Sequence, residues 1–151
     1  MRHASKLERN ACVTPRPHVV VLMATGGLGG AERSMVSLIK SSTAALRYTL
    51  LLPEDGELGQ VAVAAGADAL VVPWPRRVMA LGERSGLPHP TVLLRAAPAF
   101  WSAVGRVAAQ IQALRPDIFV TNGIKPHAIG SLALRKFPGL PLVSYLRDSL
   151  E

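Results

Sequence analysis

Cysteine is nearly absent from this chain of 151 residues; Cys12 is the only one. An intramolecular disulfide and a thiolate metal site are thereby excluded. Aromatic residues make up only 5% of the chain, and no RNA-stacking motif or zinc-finger spacing occurs, so no nucleic-acid partner is expected. Acidic side chains are scarce: 10, against 17 Lys and Arg, leave a net charge of +7. That excess fits phosphorylated ligands or an anionic membrane surface, or simply a general preference for arginine. Uninterrupted apolar stretches are short. Residues 19–24 stop at Thr25 and 96–104 stop at Gly105, well under the roughly 18 residues of a membrane span. The opening MRHASKLERNACVTPRP is polar and basic and has no apolar middle of a secretory signal. It reads as a disordered leader, residues 1–17, ahead of a cytoplasmic domain over 18–151. With 49% hydrophobic residues, the remainder can bury a core of about one domain.

Residues 18–24 (HVVVLMA) form a continuous β-branched run, the mark of a strand buried on both faces. TGGLGG follows, and from Ala31 the apolar residues Met35, Leu38 and Ile39 recur at helical spacing. Strands are expected at 48–52, 69–72, 118–121 and 142–145, with helices at 58–65, 98–114 and 125–137. Pro53, Gly66, Pro73, Pro116 and Pro138-Gly139 punctuate them. Residues 74–95 are rich in Pro, Gly and Arg and read as a long loop with at most a short helix. Alternation of strand and helix implies an α/β fold, a Rossmann-like doubly wound parallel sheet forming a single, incomplete domain with strand order 3-2-1-4-5. In that order the chain reverses between the first and fourth strands, and ligands bind beyond the carboxyl ends of the strands at this switch point. The loops there are 25–30 and 121–127.

Gly26, Gly27, Gly29 and Gly30 lie between strand and helix, where bare backbone can approach a phosphate at a helix N-terminus. A flexible turn that binds nothing is the plainer alternative. No Gly-Lys-Ser/Thr follows, so the loop is not a Walker A motif, and Gly27-Leu28-Gly29 is not closed by a third glycine as a dinucleotide fingerprint requires. Glu32 in the first turn suits the helix dipole by itself. Asn122, Lys125 and His127 follow the fourth strand. Lys125 suits a phosphate or carboxylate, and His127 suits a sugar hydroxyl or is merely a solvated helix start. Arg147 and Asp148 follow the fifth strand; Asp148 either accepts a hydroxyl proton or caps a helix. Glu54, Asp55 and Glu57 read as a solvated turn, and no metal cluster, HExxH or nucleophile elbow is present.

TGGLGGAERSMVSLI resembles the start of the N-terminal domain of glycosyltransferase family 4. LLPEDGELGQVAVAAGADALVVPWP is similar to the second and third strands of that domain, and RPDIFVTNGIKPHAIGSLALRKFPGLPLVSYLRD to its fourth and fifth. The resemblance implies a GT-B fold of two Rossmann-like lobes and transfer of a sugar from a nucleotide donor with retention of configuration. No cofactor is implied, the nucleotide sugar being a substrate; a glycan or lipid-linked acceptor of the cell envelope is the expected partner. It places the donor diphosphate against the glycine loop, with Gly29 and Gly30 in contact with phosphate. It turns the loop after the fourth strand toward the sugar, with Asn122 standing where the family often has histidine. Within that frame Asn122, Lys125 and Arg147 are read as substrate-binding, and His127 and Asp148 as the candidate catalytic residues. The donor-binding lobe lies outside these residues, so the chain is expected to be a truncated product or fragment, inactive alone. Many members are peripheral membrane proteins, and Arg76, Arg77, Met79, Leu81 and Arg84 suit membrane contact through the 74–95 loop. Two other classes remain open: a nicotinamide-dependent oxidoreductase, with Glu54 or Asp55 on the ribose, and a flavodoxin-like binding module.

Overall fold

The computed structural model describes residues 15–80 and 90–145, and the side chains of these except 90–93. Five parallel strands stand in the order β3-β2-β1-β4-β5: β1 His18–Leu22, β2 Arg47–Leu52, β3 Asp68–Val71, β4 Ile118–Asn122 and β5 Leu142–Tyr145. This is the order read from the sequence. The helices are α1 Gly30–Ser42, α2 Glu57–Ala64, α3 Arg76–Met79, α4 Pro90–Leu114 and α5 Ile124–Ala133, the last tightening into a 3₁₀ turn over Leu134–Lys136.

The apolar run of β1 feeds two cores. Val20 and Leu22 join Trp74, Val78, Val104, Val107, Phe119 and Ile129 on the face covered by α3, α4 and α5. Val19, Val21 and Met23 join Met35, Ile39, Leu50, Leu52 and Leu58 under α1 and α2. Successive side chains of a strand point to opposite faces, so a strand with helices on both sides must be apolar throughout. α5 packs close on β4 because residue 130 is glycine: a Cβ there would stand 2.7 Å from Thr121 Cγ2 and 2.9 Å from Phe119 Cε1.

Two expectations change. The 74–95 segment holds the short helix α3, as its reading allowed, but α4 begins inside it at Pro90, eight residues before the expected start at Pro98. Proline in a helix interior leaves the carbonyl four residues earlier without its N–H. Here that residue is Leu94, 77% exposed, so water can serve its carbonyl. Of the expected leader, residues 1–14 lie outside the described residues, but its end is held: Arg16 donates to Thr43 O at 2.5 Å and Arg47 N–H to Pro17 O at 2.9 Å. At the amino-terminal edge of the sheet, His18 is buried. Its Nδ1 accepts from the Arg47 guanidinium at 2.7 Å, and its Nε2 lies 2.8 Å from Thr49 Oγ1. No described helix is long and apolar enough to cross a membrane.

Candidate functional site

The first crossover pair, α1 and α2, leaves the sheet toward one face, and α4 and α5 toward the other. The loops after β1 and β4 therefore part at the carboxyl edge and leave a crevice between them. They meet at its floor. Asn122, 4% exposed, directs Nδ2 to the sulfur of Met23 at 3.7 Å. Gly123 takes the left-handed φ of 103°, and a Cβ on it would stand 3.8 Å from that of Ala24. The sheet thus brings together the two loops singled out from the sequence.

The four glycines of the first loop differ in their surroundings. Gly26 is buried against the turn between β2 and α2: its carbonyl accepts from Leu58 N–H at 3.0 Å, and a Cβ on it would lie 2.6 Å from Glu54 O. Glu54 is exposed, as its reading as part of a solvated turn expects, and it also ties the loop down. Its Oε1 accepts from Thr25 Oγ1 at 3.3 Å and lies 3.5 Å from Gly26 N. Gly27 is exposed, its N–H donating to Thr25 Oγ1 at 3.0 Å. Gly29 caps α1, and its N–H donates to Glu32 Oε2 at 3.1 Å, the side-chain half of a capping box. The Glu32 carboxylate therefore already occupies part of the anion position that a helix N-terminus offers. Gly30 is exposed and a Cβ on it would meet nothing within 4 Å. Its N–H and that of Ala31 belong to the first turn and have no intrahelical acceptor.

On the opposite wall, Lys125 Nζ donates to Met79 O at 2.5 Å and ties the start of α5 to the end of α3. His127 Nδ1 lies 2.6 Å from Ser144 Oγ and 3.4 Å from Thr121 Oγ1. Ser144 and Thr121 were read from the sequence as strand residues, Thr121 also as the start of the second loop, and neither was given a part in the site. Their signal was a polar residue one step before the end of each of two apolar strands, on the same face. Arg147 and Asp148 lie outside the described residues. Trp74 Nε1 is buried without a hydrogen-bond partner among the described residues. No group of three or more His, Cys, Asp or Glu side chains is placed to hold a metal ion among the described residues. A cavity of about 350 Å³ opens far from the crevice, at the amino-terminal edge, where Ile111, Arg115, Pro116, Phe137 and Leu140 line an apolar groove.

No family model matches the chain, and no curated protein matches it. Solved structures do. Acinetobacter baumannii MurG is 17% identical with a TM-score of 0.60, the match covering 85% of this chain and 34% of that one. The calicheamicin glycosyltransferase CalG4 is 13% identical with a TM-score of 0.57, over 87% of this chain and 32% of its own. The kitacinnamycin glycotransferase is 20% identical with a TM-score of 0.51, over 86% and 30%. The chain spans about a third of the length of these proteins. At such identities the likeness is one of architecture: the chain has the α/β, Rossmann-like fold of one lobe of these glycosyltransferases.

Proposed function

We propose that these residues form the acceptor-side lobe of a glycosyltransferase that takes a sugar from a nucleotide donor, with retention, as the family 4 resemblance implies. The observation that carries the reading is the contact of the two switch-point loops through Asn122 and Met23, with exposed glycine backbone on one side and His127 on the other. The donor's diphosphate lies against the first loop, on the amides of Gly30 and Ala31, with Gly27 and Gly29 joining once Thr25 Oγ1 and Glu32 give way. Gly26 serves by holding the loop down on the β2–α2 turn. As the bond to the sugar breaks, negative charge grows on the diphosphate, and fixed amide dipoles stabilise it without reorganising. Asn122, Lys125 and Arg147 bind the sugar and acceptor, and Asp148 accepts the proton of the attacking hydroxyl while His127 holds a sugar oxygen. The opposing lobe supplies the rest of the donor clamp, so transfer requires both lobes and the 151 residues alone turn over little or nothing.

The acceptor is a glycan or a lipid-linked sugar. A membrane surface fits the outer side of α3 and α4, where Leu94 is 77% and Trp101 57% exposed beside exposed Arg76, Arg77, Arg95 and Arg106. Neither helix contains an acidic residue. Calorimetric titration with UDP-sugars and with NAD tests the proposal. Heat with the sugar nucleotide and none with NAD supports it; binding of NAD alone replaces it with the oxidoreductase reading.

A further inference from the structure

Thr121 and Ser144 are register partners on β4 and β5, so their side chains stand on the same face of the sheet, the face that α5 covers. Their hydroxyl oxygens are 3.4 Å apart, with Thr121 donating. His127, in the first turn and a half of α5, lowers Nδ1 to 2.6 Å from Ser144 Oγ. Its Nε2 has no hydrogen-bond partner among the described residues. Thr121 is fully buried, so its proton must find an acceptor inside the cluster. Ser144 is exposed at the sheet edge. A separation of 2.6 Å falls in the range of hydroxyl donors and is short of the roughly 2.9 Å usual for an N–H donor.

We propose that the three residues form a relay in which Thr121 donates to Ser144 Oγ and Ser144 donates to His127 Nδ1. The ring is then fixed as the Nε2–H tautomer. Thr121 and Ser144 are positioning residues, and His127 offers a hydrogen to an oxygen of a bound ligand, a sugar hydroxyl or an anionic group, instead of removing a proton. The nature of that oxygen rests on the sugar-transfer reading of the crevice; the tautomer does not.

Histidine ring nitrogens in the uniformly ¹⁵N-labelled full chain, recorded without ligand at neutral pH, test the relay. His127→Gln assigns the signal. His18 is an internal reference, since the guanidinium of Arg47 can only donate to its Nδ1. The expected result is an Nε2–H ring for His127, a mixture of tautomers in Ser144→Ala and return of the Nε2–H form in Ser144→Thr. An Nδ1–H ring in the unaltered chain overturns the assignment, as does a tautomer unmoved by Ser144→Ala. Should Ser144→Ala not fold, the unaltered chain decides by itself. Failure to bind UDP-sugars would overturn the sugar-transfer reading and leave the ring assignment standing.

Discussion

The carbonyl oxygen of Gly26 lies where a side chain on Gly56 would begin: a Cβ there would stand 2.3 Å from it. Gly56 has an extended backbone, with φ 175°, so the limit is space and not strain. Gly56→Ala must push the glycine loop away from the β2–α2 turn and break the bond from Leu58 N–H to Gly26 O. The expected cost is about 2 kcal/mol, as for overpacked sites, read as a fall in the urea midpoint. Gly30→Ala meets nothing within 4 Å and should leave the stability within about 0.5 kcal/mol of that of the unaltered chain. It should instead weaken UDP binding several-fold by holding the phosphate off the backbone.

Glu32 caps α1 through Gly29 and also opposes an arriving diphosphate. Glu32→Gln keeps an oxygen for the Gly29 amide and removes the charge. Relief of one like-charge contact at about 4 Å in water is worth about 1 kcal/mol, so UDP should bind roughly fivefold tighter. The loss of the favourable dipole contact costs a few tenths of a kcal/mol. Calorimetry and thermal melting measure the two effects side by side.

Burial, and then the charge of Arg47, lower the pKa of His18 below its ordinary value. The unfolded chain therefore takes up a proton that the folded chain refuses. The contribution of neutral His18 is present in full above the unfolded pKa of about 6.5, and it is lost as the pH falls below that value. Stability of the chain should decline between pH 7 and 5.5, and His18→Gln should flatten that slope. An equal slope in the variant would assign the decline to other groups.

The sheet was legible because its strands are short apolar runs with proline or glycine at one end or the other; Leu142–Tyr145, which follows Pro141, has the same limits in sequence and structure. The start of α4 was not, because Pro98 looks like a first-turn proline and only the exposure of Leu94 shows how the helix tolerates it. The switch-point loops were legible from their unusual residues. Their side-chain partners were not. Glu54 over Gly26, Met79 O on Lys125 and Ser144 under His127 depend on strand register and on which helix crosses which face, and no local spacing encodes those.

Leu94 and Trp101 stand out on α4 among exposed arginines, a face suited to anionic lipid. Trp101 fluorescence should shift to shorter wavelength on phosphatidylglycerol vesicles and stay unchanged on phosphatidylcholine. With about 1 kcal/mol from each basic residue, the double change Arg76→Ala and Arg77→Ala should weaken vesicle binding by about 2 kcal/mol, roughly thirtyfold. Equal binding by the double variant would remove lipid from the list of partners.

The amide spectrum of the ¹⁵N-labelled chain during titration with UDP bears most directly on the proposed lobe. Shifts concentrated at Gly27, Gly29, Gly30 and Ala31 are expected, with the amides of Ile111, Arg115 and Leu140 at the opposite edge unmoved. A titration that leaves the four loop amides in place, or moves those of the opposite edge instead, contradicts the account.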